Sequence, residues 1–284
     1  MVVTNLRLLN DGFFELAKSR VFFRDTSNKN CWLAIRPLLI QTDEKGMENI
    51  LVDTGIGDVK TLPKKYKKYF NASKWIIAFS EGQRGVLGGI NQTWGYKQVG
   101  LEKSLEKAGL KPDDISAVIL THLHPDHCGA NNLFKKAKFF IQSDEYWFAK
   151  SPEKFAKPDY LKELMLLDEL NYFKICNCDF YYLSPWIKLI KTPGHTPGHQ
   201  SISIEYKNKV YIYDGDACPT KVHFEKKYLL GINLNQDKAY KSLKELKNME
   251  GTHIFGHESN YTDILSVDDK DLSVTVEKAC PFPP

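Results

Sequence analysis

The chain has 284 residues, 42% hydrophobic and 26% charged, and its 39 basic and 35 acidic side chains leave a net charge of +4. This is enough to bury a substantial core, and the near balance of charge excludes a nucleic-acid binder on charge alone. No run of about 18 apolar residues suggests a membrane span, residues 1–6 lack the basic and apolar regions of a secretory signal, and the spacing of the six Cys fits reduced thiols in a cytoplasmic protein.

In chain order, strands are expected at Leu6–Leu9, Cys31–Thr42 and Asn49–Asp53, with the polar turn Asp43-Glu44-Lys45-Gly46 joining the last two. The continuous apolar run Ile50-Leu51-Val52 reads as a strand covered on both faces. It runs into the turn Asp53-Thr54-Gly55-Ile56-Gly57. Residues 58–95 have no regular period, and the aromatic residues Trp75, Phe79 and Trp94 suggest a partly ordered lid. The Lys64–Lys68 cluster in that segment is either a solvated face or an attraction for anions. An amphipathic helix over 97–108 stops at Gly109. A buried strand follows at Ala117–Leu120, then a strand at Ala137–Gln142, a helix from Ser143 and a second helical stretch over Pro152–Leu170. A second lid-like insertion is expected near 150–175. Strands at Ile187–Thr192, Gln200–Glu205 and Lys209–Tyr213, a helix over Asp237–Lys247 and a strand at Thr252–Phe255 complete the pattern. Strands and helices in both halves predict an α+β domain over 1–284, with two sheets face to face and helices outside.

The most informative segment is Thr121-His122-Leu123-His124-Pro125-Asp126-His127, with three imidazoles and a carboxylate in six residues. In extended backbone, residues i and i+2 project the same way, so His122 and His124 can address one cation. Pro125 then turns the chain, and Asp126 and His127 can face a second. Imidazole with carboxylate suits Zn(II), and also Fe(II) or Mn(II). Downstream candidates are His195 in a turn braced by Pro and Gly, Asp214 or Asp216 after an apolar strand, and His257 at the end of another; five of the 8 His sit in these places.

Together these pieces, in this order, resemble the metallo-β-lactamase superfamily, whose fold is a four-layer αβ/βα sandwich of two mixed sheets between helices. The resemblance implies one ion on His122, His124 and His195, a second on Asp126, His127 and His257, and Asp216 rather than Asp214 as the bridge. His199 is then a supporting residue, Asp53 braces the site from behind, and His253 is packed or solvated. Two ions would lower the pKa of a bridging water, with Asp126 receiving or returning the proton. Nearest are the acyl-homoserine lactonases, through Thr192-Pro193-Gly194-His195-Thr196-Pro197-Gly198-His199-Gln200 and Phe255-Gly256-His257. Pro219 stands where those lactonases carry a Tyr. The segment Pro219 to His223 resembles a group of uncharacterised hydrolases, in which Thr220 or His223 contacts substrate or fixes a loop. The expected activity is dinuclear hydrolysis of a small ester, lactone or thioester, with aromatic Trp147 and Phe148 suiting an acyl group. A phosphodiesterase or nuclease of the same fold, or a mononuclear iron enzyme such as a persulfide dioxygenase, are the alternatives. A homodimer is expected by resemblance.

Overall fold

The computed structural model describes residues 2–27, 29–57, 77–78, 93–94, 96–176, 178–259 and 265–266. Apart from 77–78 and 93–94, the expected lid over 58–95, with Lys64–Lys68, Trp75, Phe79 and the Trp94 side chain, lies outside what is described, as does the tail beyond residue 266.

Among the described residues, the strands are β1 Val3–Leu8, β2 Gly12–Ala17, β3 Asn30–Ile35, β4 Leu38–Thr42, β5 Asn49–Val52, β6 Ile77–Ala78, β7 Thr93–Trp94, β8 Tyr96–Gln98, β9 Ala117–Ile119, β10 Lys138–Gln142, β11 Asn171–Ile175, β12 Phe180–Ser184, β13 Ile187–Lys191, β14 Gln200–Tyr206, β15 Lys209–Tyr213, β16 Thr252–Ile254 and β17 Leu265–Ser266. The α-helices are α1 Lys18–Val21, α2 Leu101–Lys107, α3 Pro125–Cys128, α4 Ser143–Lys150, α5 Lys162–Met165, α6 Lys221–Lys226 and α7 Gln236–Lys247. A seven-stranded mixed sheet has the order β11-β10-β9-β5-β4-β1-β17, and a five-stranded sheet the order β12-β13-β14-β15-β16.

Alternation along the strands sorts the core into layers. Leu38, Ile40, Ile50 and Val52 pack against Leu189, Ile202, Ile204 and Tyr213 of the second sheet. Their neighbours Leu39 and Leu51 point the other way, into a core with Leu101 and Leu105 of α2 and Tyr146 and Ala149 of α4. On the far side, Leu243 and Leu246 of α7 cover Ile212 of β15. The result is the expected sandwich, helix on sheet on sheet on helix. A separate sheet, β3-β2-β8, caps the outer core with Phe14, Leu16 and Leu33.

Three expectations need correction. The single strand over Cys31–Thr42 is two, broken at Arg36-Pro37. Pro37 has no N–H to donate, and the two halves join different sheets. The long helix over Pro152–Leu170 is reduced to a 3-10 turn at Lys157–Asp159 and α5, which stops at Leu166 with φ +50. Pro152 and Pro158 disfavour helical backbone before them. The helix at 97–108 begins only at Leu101, because Tyr96–Gln98 pairs with β2.

Candidate metal centre

The buried strand β9, parallel to its neighbours β5 and β10 inside the first sheet, ends at Ile119, and the chain leaves regular structure at Leu120. His122, His124 and His127 are 0%, 9% and 2% exposed, an unusual burial for three imidazoles within six residues. Pro125 opens α3 at its first position, where a missing N–H costs nothing. His195 arrives on the loop between β13 and β14. That loop passes too close to other elements for side chains. A Cβ at Gly194, where φ is +139, would lie 2.1 Å from the Ala239 nitrogen, and one at Gly198 would lie 2.2 Å from the Glu145 nitrogen. Asp216 follows β15 in a single 3-10 turn, and His257 follows β16.

These four segments meet. Ligand atoms of His122, His124 and His195 lie within 4.8 Å of one another, as do those of Asp126, His127 and His257, and those of His122, His127 and Asp216. The sequence-predicted residues therefore all come together. Asp214 does not join them; its carboxylate is turned onto His253, 2.9 Å from Nδ1. Burial raises the Asp214 carboxyl to about 6 even though His253 opposes the shift.

Most of the rings are gripped on the side away from the cluster. His127 Nδ1 lies 2.8 Å from Asp53 Oδ2, and His257 Nδ1 donates to the Ala34 carbonyl at 2.7 Å. His122 Nδ1 meets Thr121 Oγ1 at 3.0 Å, and that hydroxyl can donate to Asp53 at 2.9 Å. In the neutral rings these bonds fix the proton on Nδ1 and leave the Nε2 lone pair facing inward. His127 Nε2 and His257 Nε2 then oppose each other at 3.2 Å, and His195 Nε2 opposes His124 Nδ1 at 3.0 Å. Two ligands of a tetrahedral zinc ion with bonds of about 2.0–2.1 Å lie about 3.3 Å apart. Buried His122 Nε2 and Asp216 Oδ1 make no hydrogen bond. Lone pairs converging at these separations fit shared cations.

The electrostatics agree. Burial, reinforced by neighbouring imidazoles, holds His122 and His124 well below the usual histidine value. Burial opposes ionisation of Asp126 and Asp216, yet His127 and His257 outweigh it, placing Asp126 at about 2 and Asp216 well below the usual range. Neutral imidazole and ionised carboxylate are the states that ligate metals. His127 and His257 run the other way: burial lowers both, but Asp126, Asp53 and Asp216 together raise His127 well above normal and Asp216 raises His257, so a cation there competes with a proton.

His199 accepts from the Asp216 main-chain N–H through Nε2 at 2.9 Å, while its Nδ1 meets Thr192 Oγ1 at 2.8 Å. It seats Asp216 without facing the cluster. Burial lowers it to about 3, so it stays neutral. His223 and Thr220 bond each other at 2.7 Å, and His223 Nε2 donates to the Val21 carbonyl at 2.8 Å. They tie α6 to α1 and do not line the cleft beside the cluster. Trp147 is exposed and Phe148 packs on Tyr160.

Two features were not read from the sequence. Glu145 in α4 is fully buried and accepts from Leu123 N at 3.1 Å, Gly198 N at 3.1 Å and the Tyr160 hydroxyl at 2.9 Å. One carboxylate thus braces both histidine loops, and Tyr160 meets the His124 ring edge-on. Local sequence offers no sign of this, because the partners are 15, 22 and 53 residues away. The second is the cleft. Phe14, Leu16, Leu33, Ile56, Leu230 and Ile232 form apolar walls leading to His124, Asp126, Asp216 and His257, and Arg20 and Asp159 lie among them. The enclosed space is about 60 Å³ and opens to solvent.

Comparison with known proteins places this arrangement. Residues 38–142 match the model of the metallo-beta-lactamase superfamily. An N-acyl homoserine lactonase of Bacillus cereus is 32% identical over 263 residues, covering 91% of this chain and 94% of that protein. A solved N-acyl homoserine lactone hydrolase with N-hexanoyl-L-homoserine bound at its catalytic metal center superposes with a TM-score of 0.72 at 29% identity, over 90% of this chain and 94% of the other. A Staphylococcus aureus protein described as a probable metal-dependent hydrolase, 20% identical with a TM-score of 0.70 over 94% of each chain, shares the fold.

Proposed function

The chain belongs to the metallo-beta-lactamase superfamily and is a metal-dependent hydrolase, and on that premise we propose that it is a dinuclear lactonase acting on small acyl-bearing lactones. His122, His124 and His195 would hold one divalent ion, Asp126, His127 and His257 the other, with Asp216 between them. Zinc suits the mixed nitrogen and oxygen donors, as do iron and manganese. Such ions would supply hydroxide at neutral pH and would polarise the ester carbonyl.

The protein's own groups do the rest. Asp126, with its side chain 19% exposed, lies at the cleft and can take a proton from the attacking water and return it to the departing alkoxide. Asp216 is kept ionised by three imidazoles. The walls of Phe14, Leu16, Leu33 and Ile56 exclude water and accept an acyl chain. Pro219, standing where lactonases carry a Tyr, accepts the His257 main-chain N–H at 3.0 Å and so helps seat that ring.

The observation that carries this reading is the convergence of seven ligand-type side chains from four segments, three of the imidazoles gripped from behind. The apolar cleft favours an acyl substrate over a polyanionic one. The test is elemental analysis of the purified protein together with hydrolysis of an N-acyl-homoserine lactone followed by proton release. About two ions per chain and chelator-sensitive ring opening are expected. One iron per chain, no ring opening and oxygen consumption with a persulfide would overturn the reading; preferential cleavage of a phosphodiester would replace its substrate.

A further inference from the structure

A second cavity lies behind the loop that carries His195. Pro197 of that loop, Phe148 of α4, Glu153 and Phe155 after it, and Leu234 and Lys238 around the start of α7 line about 270 Å³ of enclosed space, several times that of the cleft beside the cluster. The two share no lining residue. Main-chain bonds fix the frame. The Leu234 N–H donates to the His195 carbonyl at 3.1 Å, the Asn235 N–H to the Gly194 carbonyl at 2.9 Å, and the Glu153 carbonyl accepts from the Ala156 N–H at 3.0 Å. Phe148 meets Tyr160 edge-on, with ring centroids 5.3 Å apart. Phe155 is 54% exposed, so its ring offers apolar area for a ligand to cover.

Two side chains of opposite charge belong to this lining. Among the described residues, neither the Glu153 carboxylate nor the Lys238 ammonium has a hydrogen-bond or ion-pair partner, and the two are not paired with each other. Other surface lysines are engaged: Lys136, Lys150 and Lys191 each meet an aspartate. Lys238 moreover occupies the first turn of α7, where the positive end of the helix dipole disfavours a cation. The fold gains nothing from an ammonium placed there, whereas a carboxylate in the cavity would meet both that ammonium and the helix terminus. Glu153 supplies the acceptor for a ligand ammonium. A ligand with a single charge would satisfy one of the two side chains and leave the other unpaired. We propose that the cavity binds a small zwitterion with an apolar side chain, of the α-amino-acid class. Its carboxylate lies on Lys238, its ammonium on Glu153 and its side chain against Phe148, Phe155 and Leu234. Binding there is separate from the reaction at the cluster.

The experiment titrates the metal-loaded protein with L-phenylalanine, with phenylpropanoate, which lacks the ammonium, and with phenylethylamine, which lacks the carboxylate. Calorimetry reads the affinities and amide NMR locates the ligand. L-phenylalanine should bind about fivefold or more tightly than either analogue, the scale of an exposed ion pair. Glu153→Gln should bring L-phenylalanine down to the level of phenylpropanoate, and Lys238→Met to that of phenylethylamine. Both side chains are exposed and without partners, so both variants should fold. Shifts are expected at the amides of Glu153, Phe155 and Lys238. An amino acid can also chelate a divalent ion, and the same spectra distinguish that case: shifts confined to residues 122–127, with affinity unchanged in both variants, would overturn the proposal. Equal affinity for the three ligands, or no saturable binding of L-phenylalanine, would overturn it as well.

Discussion

Replacing Asp53 with Asn tests the logic by which Asp126, His127 and His257 would hold the proposed second ion. Asp53 is 2% exposed; Oδ1 accepts the Thr121 main-chain N–H at 2.7 Å, and Oδ2 faces His127 Nδ1 at 2.8 Å. A backbone N–H cannot accept, so the single oxygen of Asn must stay opposite Thr121, and its NH2 must face His127. The ring must then accept through Nδ1 and carry its proton on Nε2. That atom is the one facing Asp216 at 3.5 Å and His257 at 3.2 Å. Asp53 has φ +59, a conformation Asn tolerates as readily as Asp, so the backbone need not move. Losing a carboxylate that orients a metal-bound histidine lowers affinity about 10–100-fold, or roughly 1.4–2.7 kcal/mol. The loss should concentrate in the ion proposed at Asp126, His127 and His257, since His122 reaches Asp53 only through the Thr121 hydroxyl, which can still donate to the retained oxygen at 3.0 Å. Competition for zinc against a chromophoric chelator gives the two affinities, and nitrogen-detected NMR gives the His127 tautomer. Wild-type affinity for both ions, or a lone pair still on Nε2 in Asp53→Asn, would refute the reasoning.

Glu145→Ala strips acceptors from two buried main-chain N–H groups and one hydroxyl; at about 1–3 kcal/mol each, less the relief of a carboxyl that burial has raised, a net loss of roughly 3 kcal/mol in urea unfolding is expected. Unfolding unchanged within about 0.5 kcal/mol would remove Glu145 from the brace. His223 is depressed by burial to about 4. Between that value and about 6.5 the unfolded chain binds the extra proton. Its contribution is therefore complete above pH 6.5 and fades by up to roughly 3 kcal/mol as pH falls to 4. In His223→Gln the stability lost between pH 7 and 4.5 should be smaller than in wild type; parallel curves would contradict the assignment. His199→Ala should retain at least one ion by elemental analysis, whereas His122→Ala or Asp216→Ala should lose metal and activity together. Full activity in Asp216→Ala would return attention to Asp214. Because a cation displaces the proton from His127, metal binding should release protons, seen as a dependence of the calorimetric heat on buffer ionisation enthalpy.

The side chains that converge in the cluster were legible in the linear chain because donor chemistry is local. A run such as His122 to His127, placed at the end of a buried strand, has few uses other than a cation, and the Pro–Gly frame around His195 marks a rigid turn. The layered fold was legible too, since the continuous apolar runs Leu38–Ile40 and Ile50–Val52 state that both faces of the strands are covered. The sequence could not rank Asp214 against Asp216 from spacing, because two carboxylates two residues apart differ only in which way the turn aims them; the 3-10 turn at Gly215 sends one inward and the other onto His253. It overextended the helix after Pro152 and fused two strands across Pro37, where local apolar pattern outran the effect of proline on the backbone. Glu145, Arg20 and Asp159 were silent in sequence, since a lone charged residue reads as solvated surface until distant segments close around it. Donor type and periodicity are properties of neighbouring residues, so the chain by itself determined the chemistry and the layers; burial and the pairing of distant groups exist only once it has folded, and these decided how the ligands are aimed and what the cleft can recognise.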